Sequence, residues 1–217
     1  MCSLVALTGC QSFLGYRGWP YPEHDRTSFH TPAMRIDTVE QFASRADGTD
    51  STEQREYTDQ LASQIQIEPD PLVREAIIRA TAEFRTPLAY QILEAGLRDD
   101  NPQVRVACCQ SLGTRGETRS VASLASALRD DEDKDVRLAA VEALGNVKDP
   151  TAVAALAVAL DDRDPAMQFV GVQAMRSITG KDYGGDVEAW RQVAAGNSPP
   201  EPPSPSIAER LREAVRF

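Results

Sequence analysis

The sequence predicts an all-α fold, a solenoid of about five stacked helical hairpins, and three observations carry that prediction. A seven-residue pattern recurs along the chain. Asp70-Pro71-Leu72-Val73-Arg74-Glu75-Ala76 returns as Asn101-Pro102-Gln103-Val104-Arg105-Val106-Ala107 and again as Asp133-Lys134-Asp135-Val136-Arg137-Leu138-Ala139. A worn copy follows at Asp164-Pro165-Ala166-Met167-Gln168-Phe169-Val170. The steps from Val73 to Val104, Val136 and Met167 are 31, 32 and 31 residues, enough for two helices and two turns. Leucine pairs at i, i+4 then occupy the second half of each period: Leu93 with Leu97, Leu124 with Leu128, and Leu156 with Leu160.

The units follow in order over residues 32–196. Thr31-Pro32-Ala33-Met34-Arg35, 39 residues ahead of the first clear copy, opens a diverged first unit. Residues 52–67, with Leu61, Ile65 and Ile67, supply its second helix. In the later units Asp or Asn caps the first helix, and Pro sits just inside it, where its missing N–H costs nothing. Apolar residues recur behind the cap at helical spacing, as in Val104, Ala107, Cys108, Ser111 and Leu112. Gly113 and Gly145 follow Leu112 and Leu144 and are expected to be helix C-caps. Residues 178–186 are a turn-rich break, and the short helix 187–195 beyond it places Trp190 to plug the open end of the core.

Composition narrows the function. The chain has 33 acids, 23 bases and a formal charge of −10, divided as ten acids and five bases over 11–69, twenty and fifteen over 70–196, and three of each over 197–217. No segment is basic, so nucleic acid is not an expected partner, because phosphate contacts need a surplus of Lys and Arg. Two histidines, His24 and His30, leave little for a histidine-based site, and neither a cofactor nor a metal is expected. The acidic turns at 130–135 and 161–164 lack the spacing of a calcium loop and precede helix starts, where carboxylates suit capping. Cys108 and Cys109 diverge by about 100° on a helix and are expected to be buried thiols.

The two termini read differently. Leu7-Thr8-Gly9-Cys10 resembles the lipobox of bacterial lipoproteins: an aliphatic residue, two small ones, then the cysteine that receives lipid. That resemblance implies lipid attachment at Cys10, with residues 1–9 the remnant of a truncated signal peptide that lacks the usual basic segment. It also implies an anchor in a bacterial membrane facing the periplasm, and Gln11 in place of Asp points to the outer rather than the inner membrane. Residues 10–31 form an irregular tether rich in aromatics (Phe13, Tyr16, Trp19, Tyr21 and Phe29), suited either to the membrane interface or to covering the end of the body. At the other end, residues 197–206 form a Pro-rich spacer. Ile207, Leu211 and Val215 fall on one face of the short amphipathic helix 207–217, which would dock on a partner, fold back or remain disordered.

The repeating units resemble HEAT repeats, specifically the short kind found in phycobilisome-lyase-type HEAT-like proteins, over roughly residues 32–180. The resemblance implies a right-handed α-solenoid. It also implies that the ladder Arg35, Arg74, Arg105 and Arg137, otherwise a positive stripe for an acidic ligand, bonds an acid or carbonyl of the adjacent repeat, with Asp99, Asp130 and Asp161 as candidates. Metal-dependent HEAT hydroxylases need paired His-Glu dipeptides, and the nearest approach is Glu23-His24, a single reversed pair. The expected function is therefore a non-enzymatic, membrane-anchored scaffold with a protein partner. The alternatives are a soluble lyase- or chaperone-type subunit whose partner supplies the chemistry, and a small-ligand carrier.

Overall fold

A computed structural model describes residues 31–200. Five units follow one another: α1 (Pro32–Ala43) with α2 (Thr52–Ile65), α3 (Pro71–Glu83) with α4 (Pro87–Gly96), and α5 (Pro102–Arg115) with α6 (Val121–Asp130). The fourth pairs α7 (Lys134–Val147) with the broken helix α8 (Ala152–Ala155) and α9 (Ala157–Asp161), and the fifth pairs α10 (Pro165–Thr179) with α11 (Val187–Ala194). Among the described residues there is no strand. The first helices α1, α3, α5, α7 and α10 stack in one row and the second helices in another, which is the arrangement of an α-solenoid.

Each first helix starts for the same local reason. Thr31, Asp70, Asn101, Asp133 and Asp164 hold extended backbone, and their side chains accept an N–H from the first turn. The ends differ from the sequence expectation. Gly113 and Gly145 lie inside α5 and α7, and the left-handed caps are Gly116 (φ 65°) and Lys148 (φ 56°), three residues later. The two inner glycines serve close packing. A Cβ on Gly113 would lie 2.7 Å from the Ala143 Cα of the next unit, and one on Gly145 would lie 2.9 Å from the Ala174 Cα. Ile67 also departs from the expected helix: α2 stops at Ile65, and Ile67 is 81% exposed in the turn.

The core runs as one strip from Ile78 to Val193, with a smaller cluster of Val39, Leu61, Val73, Ile77, Ala80, Phe84 and Ala89 between units one and two. Trp190 closes the strip. Its ring is fully buried and meets Tyr183 edge-on at 5.1 Å, and its Nε1–H donates to the Gly184 carbonyl at 3.2 Å. On the same helix Arg191 donates to the Asp161 carboxylate and to the Leu160 carbonyl, which ties α11 to the end of α9.

Along one edge the stack is stitched by the arginine ladder. Arg35 forks onto Glu68, Arg74 onto Asp99, and Arg105 onto Asp131, each through Nε and Nη2 at 2.8–3.0 Å. The third nitrogen of each later arginine reaches back. Arg74 Nη1 donates to the carbonyls of Glu68 and Pro69, and Arg105 Nη1 to those of Asp99 and Asp100. Glu68, Asp99 and Asp131 thus accept from one arginine with the side chain and from the next with the carbonyl, and their carboxylates also receive the N–H of the following cap residue. Asp130 and Asp161 are not ladder partners. Asp131 stands one residue further along the turn and takes the fork, while Asp161 pairs with Arg191. The fourth rung is incomplete: among the described residues Arg137 bonds only the carbonyls of Asp131 and Glu132. In the fifth unit Gln168 takes the ladder position and donates to the Asp162 carbonyl.

The rungs should therefore differ in strength. Arg105 and Asp131 are 10% and 8% exposed, so Arg105→Ala strands a nearly buried carboxylate and should destabilise the fold by about 3 kcal/mol. Arg137→Ala removes only carbonyl bonds and should cost about 1 kcal/mol. Urea unfolding near pH 7 reads both, and equal losses would show that the forks add nothing.

Candidate functional site

The residues singled out in the sequence divide between frame and terminus. Arg35, Arg74 and Arg105 are held in forks and do not form an open positive stripe. Hydrogen bonding to Asp99 raises the Arg74 pKa, and hydrogen bonding to Asp131 raises that of Arg105. Burial pushes the Asp99 carboxyl up, but the Arg74 fork and the Asn101 N–H prevail, and the net shift is downward. Trp190 is core. Cys10 with Leu7, Thr8 and Gly9, and Ile207, Leu211 and Val215, lie outside the described residues.

One structural arginine was not legible as such. Arg115, at the end of α5, is 2% exposed in its side chain and donates to the carbonyls of Ala82 and Phe84 at the end of α3, with Glu117 as its counter-ion. Burial lowers its pKa although Glu117 opposes the shift. The equivalent residue of the next unit is Val147, so no ladder of arginines marks this position in the sequence.

The paired thiols are enclosed. Cys108 and Cys109 are free and fully buried, and a Cβ on Gly96 would sit 2.5 Å from the Cys108 Sγ, so α4 and α5 touch there. Burial, reinforced by Cys109 and Asp99, raises the Cys108 pKa far above its ordinary value; burial and Asp131 push Cys109 up to about 12. Both therefore remain neutral thiols near pH 7 and are poor nucleophiles. Among the described residues no group of three His, Cys, Asp or Glu is placed to hold a metal ion, and no helix is long and apolar enough to cross a membrane.

What remains open is a trough on the second-helix face. Between α2 and α4 a cavity of about 370 Å³ is lined by Ala62, Ile65, Leu88, Ile92 and Ala95, with Gln66, Gln91, Arg98 and Asp99 at its rim. A polar cavity of about 410 Å³ adjoins it along the turns, lined by Arg98, Asp99, Asp100, Arg105, Asp130, Asp131 and Glu132. A third, of about 210 Å³, lies between α4 and α6, where Glu94, Leu97, Ser123, Ser126 and Ala127 face one another. All three share Arg98. The second and third lie where α4 meets α6 less closely than it meets α2, while the first-helix row stays tight. The lining is apolar and carboxylate-rich, suited to holding a surface, and its two hydroxyls, Ser123 and Ser126, donate to the carboxylates of Glu94 and Asp130.

The family model described as HEAT repeats matches the chain over residues 38–112, 58–140 and 121–189, windows that overlap and together reach from unit one to unit five. No curated protein matches it.

The thiols give a pH signature. The unfolded chain releases both protons near pH 9 and the folded chain holds them, so the unfolded state binds fewer protons and stability falls as pH rises. The loss should approach about 1.4 kcal/mol per pH unit for each thiol above pH 9. In urea unfolding between pH 8 and 11, Cys108→Ala/Cys109→Ala should flatten that slope, and an unchanged slope would contradict the burial.

Proposed function

This chain belongs to the HEAT-repeat family, and on that premise we propose that it is a non-enzymatic scaffold that binds a protein partner while lipid on Cys10 holds it to a bacterial membrane. The observation that carries the scaffold reading is the contrast between the two helix rows. The first row and its arginine edge are closed by forks and capped helices, whereas the second row opens into a trough lined by apolar groups and carboxylates. A stack in which each unit contacts only its neighbours presents such a surface as a fixed shape, and a rigid surface loses little conformational entropy on binding.

The anchor reading is supported by Leu7-Thr8-Gly9-Cys10, and Gln11 after the cysteine favours the outer membrane, with the solenoid facing the periplasm. Acyl chains contribute about 0.8 kcal/mol per buried CH₂, so several chains hold a soluble body at a membrane without a spanning helix. Neither nucleic acid nor a cofactor enters this reading.

One experiment tests both halves. The chain is expressed in its native host with a complete lipoprotein signal sequence ahead of Cys10, and is crosslinked in cells. The protein should partition into detergent and crosslink to a discrete protein partner, and Cys10→Ser should abolish the partitioning. Unchanged partitioning of Cys10→Ser would sink the anchor. Absence of any crosslinked partner would sink the scaffold, and loss of the partner on deleting 207–217 would move binding from the solenoid to the tail.

A further inference from the structure

We infer that the trough around Arg98 receives a cationic amphipathic segment of a partner protein, one that sets large apolar side chains into the α2–α4 cavity and places Lys or Arg over the turns beside it. The inference rests on the scaffold reading and specifies the chemistry of the partner.

The apolar end comes first. Its floor, Ile65, Leu88 and Ile92, is half-buried or buried, and its volume of about 370 Å³ lies in the range of cavities that take compact organic groups, roughly 300–1,000 Å³. An isolated apolar cavity would suit many occupants, but this one opens onto five carboxylates with only Arg98 and Arg105 among them. Two of the five are already engaged, Asp99 by Arg74 and Asp131 by Arg105. The other three keep acceptor capacity. Among the described residues, Asp100 and Glu132 are exposed and bond through their carbonyls alone, and Asp130 has only Ser126 and the distant Arg129 at 3.9 Å. That surplus of negative charge beside an apolar cleft complements a segment whose cations flank its apolar residues.

Arg98 sets the register. It is exposed, and its guanidinium makes no ion pair or hydrogen bond among the described residues. Standing where the cavities meet, it repels a cation placed directly over it and directs cations outward to Asp100 and Glu132. Its donors are left for a carbonyl of the bound segment. An acidic amphipathic segment would meet the three free carboxylates and be rejected.

The probe is a fluorescein-labelled twelve-residue helical peptide of alternating Leu and Lys pairs, titrated with the full chain by anisotropy, beside the same peptide with Glu in place of Lys. The Lys peptide should bind saturably. Ala95→Glu, an exposed α4 position in the apolar lining, should weaken it about tenfold, and Asp100→Asn/Glu132→Gln about three- to tenfold. Asp37→Asn/Glu142→Gln, an equal charge change on the first-helix row, should leave it unchanged. Equal weakening by that control pair would reduce the interaction to net charge and overturn the inference. So would equal binding of the Glu peptide, or absence of binding. Self-association of the chain at these concentrations that Ala95→Glu dissolves would assign the trough to a second copy, again overturning it. Failure here with a crosslinked partner still present in the host would refute the trough chemistry and leave the scaffold reading intact.

Discussion

The interaction on which the rest of the structure depends is the guanidinium that spans two turns. Arg74 and Arg105 each hold the carbonyls of the turn before their own helix and the carboxylate of the turn after their unit. A planar five-donor group suits this task, because its fork satisfies a carboxylate while the remaining nitrogen reaches the backbone. Lys at the same position would offer one point charge. Since Glu68, Asp99 and Asp131 also receive the N–H of the residue that precedes each Pro-led helix or its Lys134 counterpart, the same carboxylates fix where the next helix begins. Register thus passes from unit to unit through the turns, independently of the core.

That division of labour explains the two faces. The first helices approach until glycine is required, with Gly113 against Ala143 and Gly145 against Ala174. With one row so close and one edge stitched, the second row is free to vary, and it does. α4 and α6 separate, α8 and α9 are interrupted at Leu156, and Arg191 bridges from the last helix to Asp161. The polar part of the trough, beside α4 and α6, goes with that separation, and its acidity follows from the turns, where carboxylates serve the ladder and the caps and leave Asp100, Asp130 and Glu132 over.

Much of this was legible in the sequence because the strongest signals are local. The cap residue recurs at 31 or 32 residues from Asp70 to Asp164, with Pro behind it in all but the fourth unit and arginine three positions further in all but the fifth, and the cap and the Pro each have one local structural use. Ambiguity entered where one residue type serves two purposes. Gly113 fits a C-cap as well as a close approach, and only the stack shows that α5 continues to Arg115. Two adjacent acids, Asp130 and Asp131, are equivalent on paper, and the turn geometry selects the second. Ile65 and Ile92 carry the spacing of core residues, so nothing local marks them as lining a groove. Arg115 escaped because its carbonyl partners lie 31 and 33 residues away and no other unit repeats it.

The central claim, that guanidinium forks couple successive units, is tested most directly by paired double-mutant cycles. One cycle combines Arg105→Ala with Asp131→Ala, and the other combines Arg137→Ala with Asp162→Ala, each read by urea unfolding. The ladder predicts a coupling of about 2 kcal/mol in the first and close to zero in the second, where no fork forms. Equal couplings, or none in the first cycle, would contradict it.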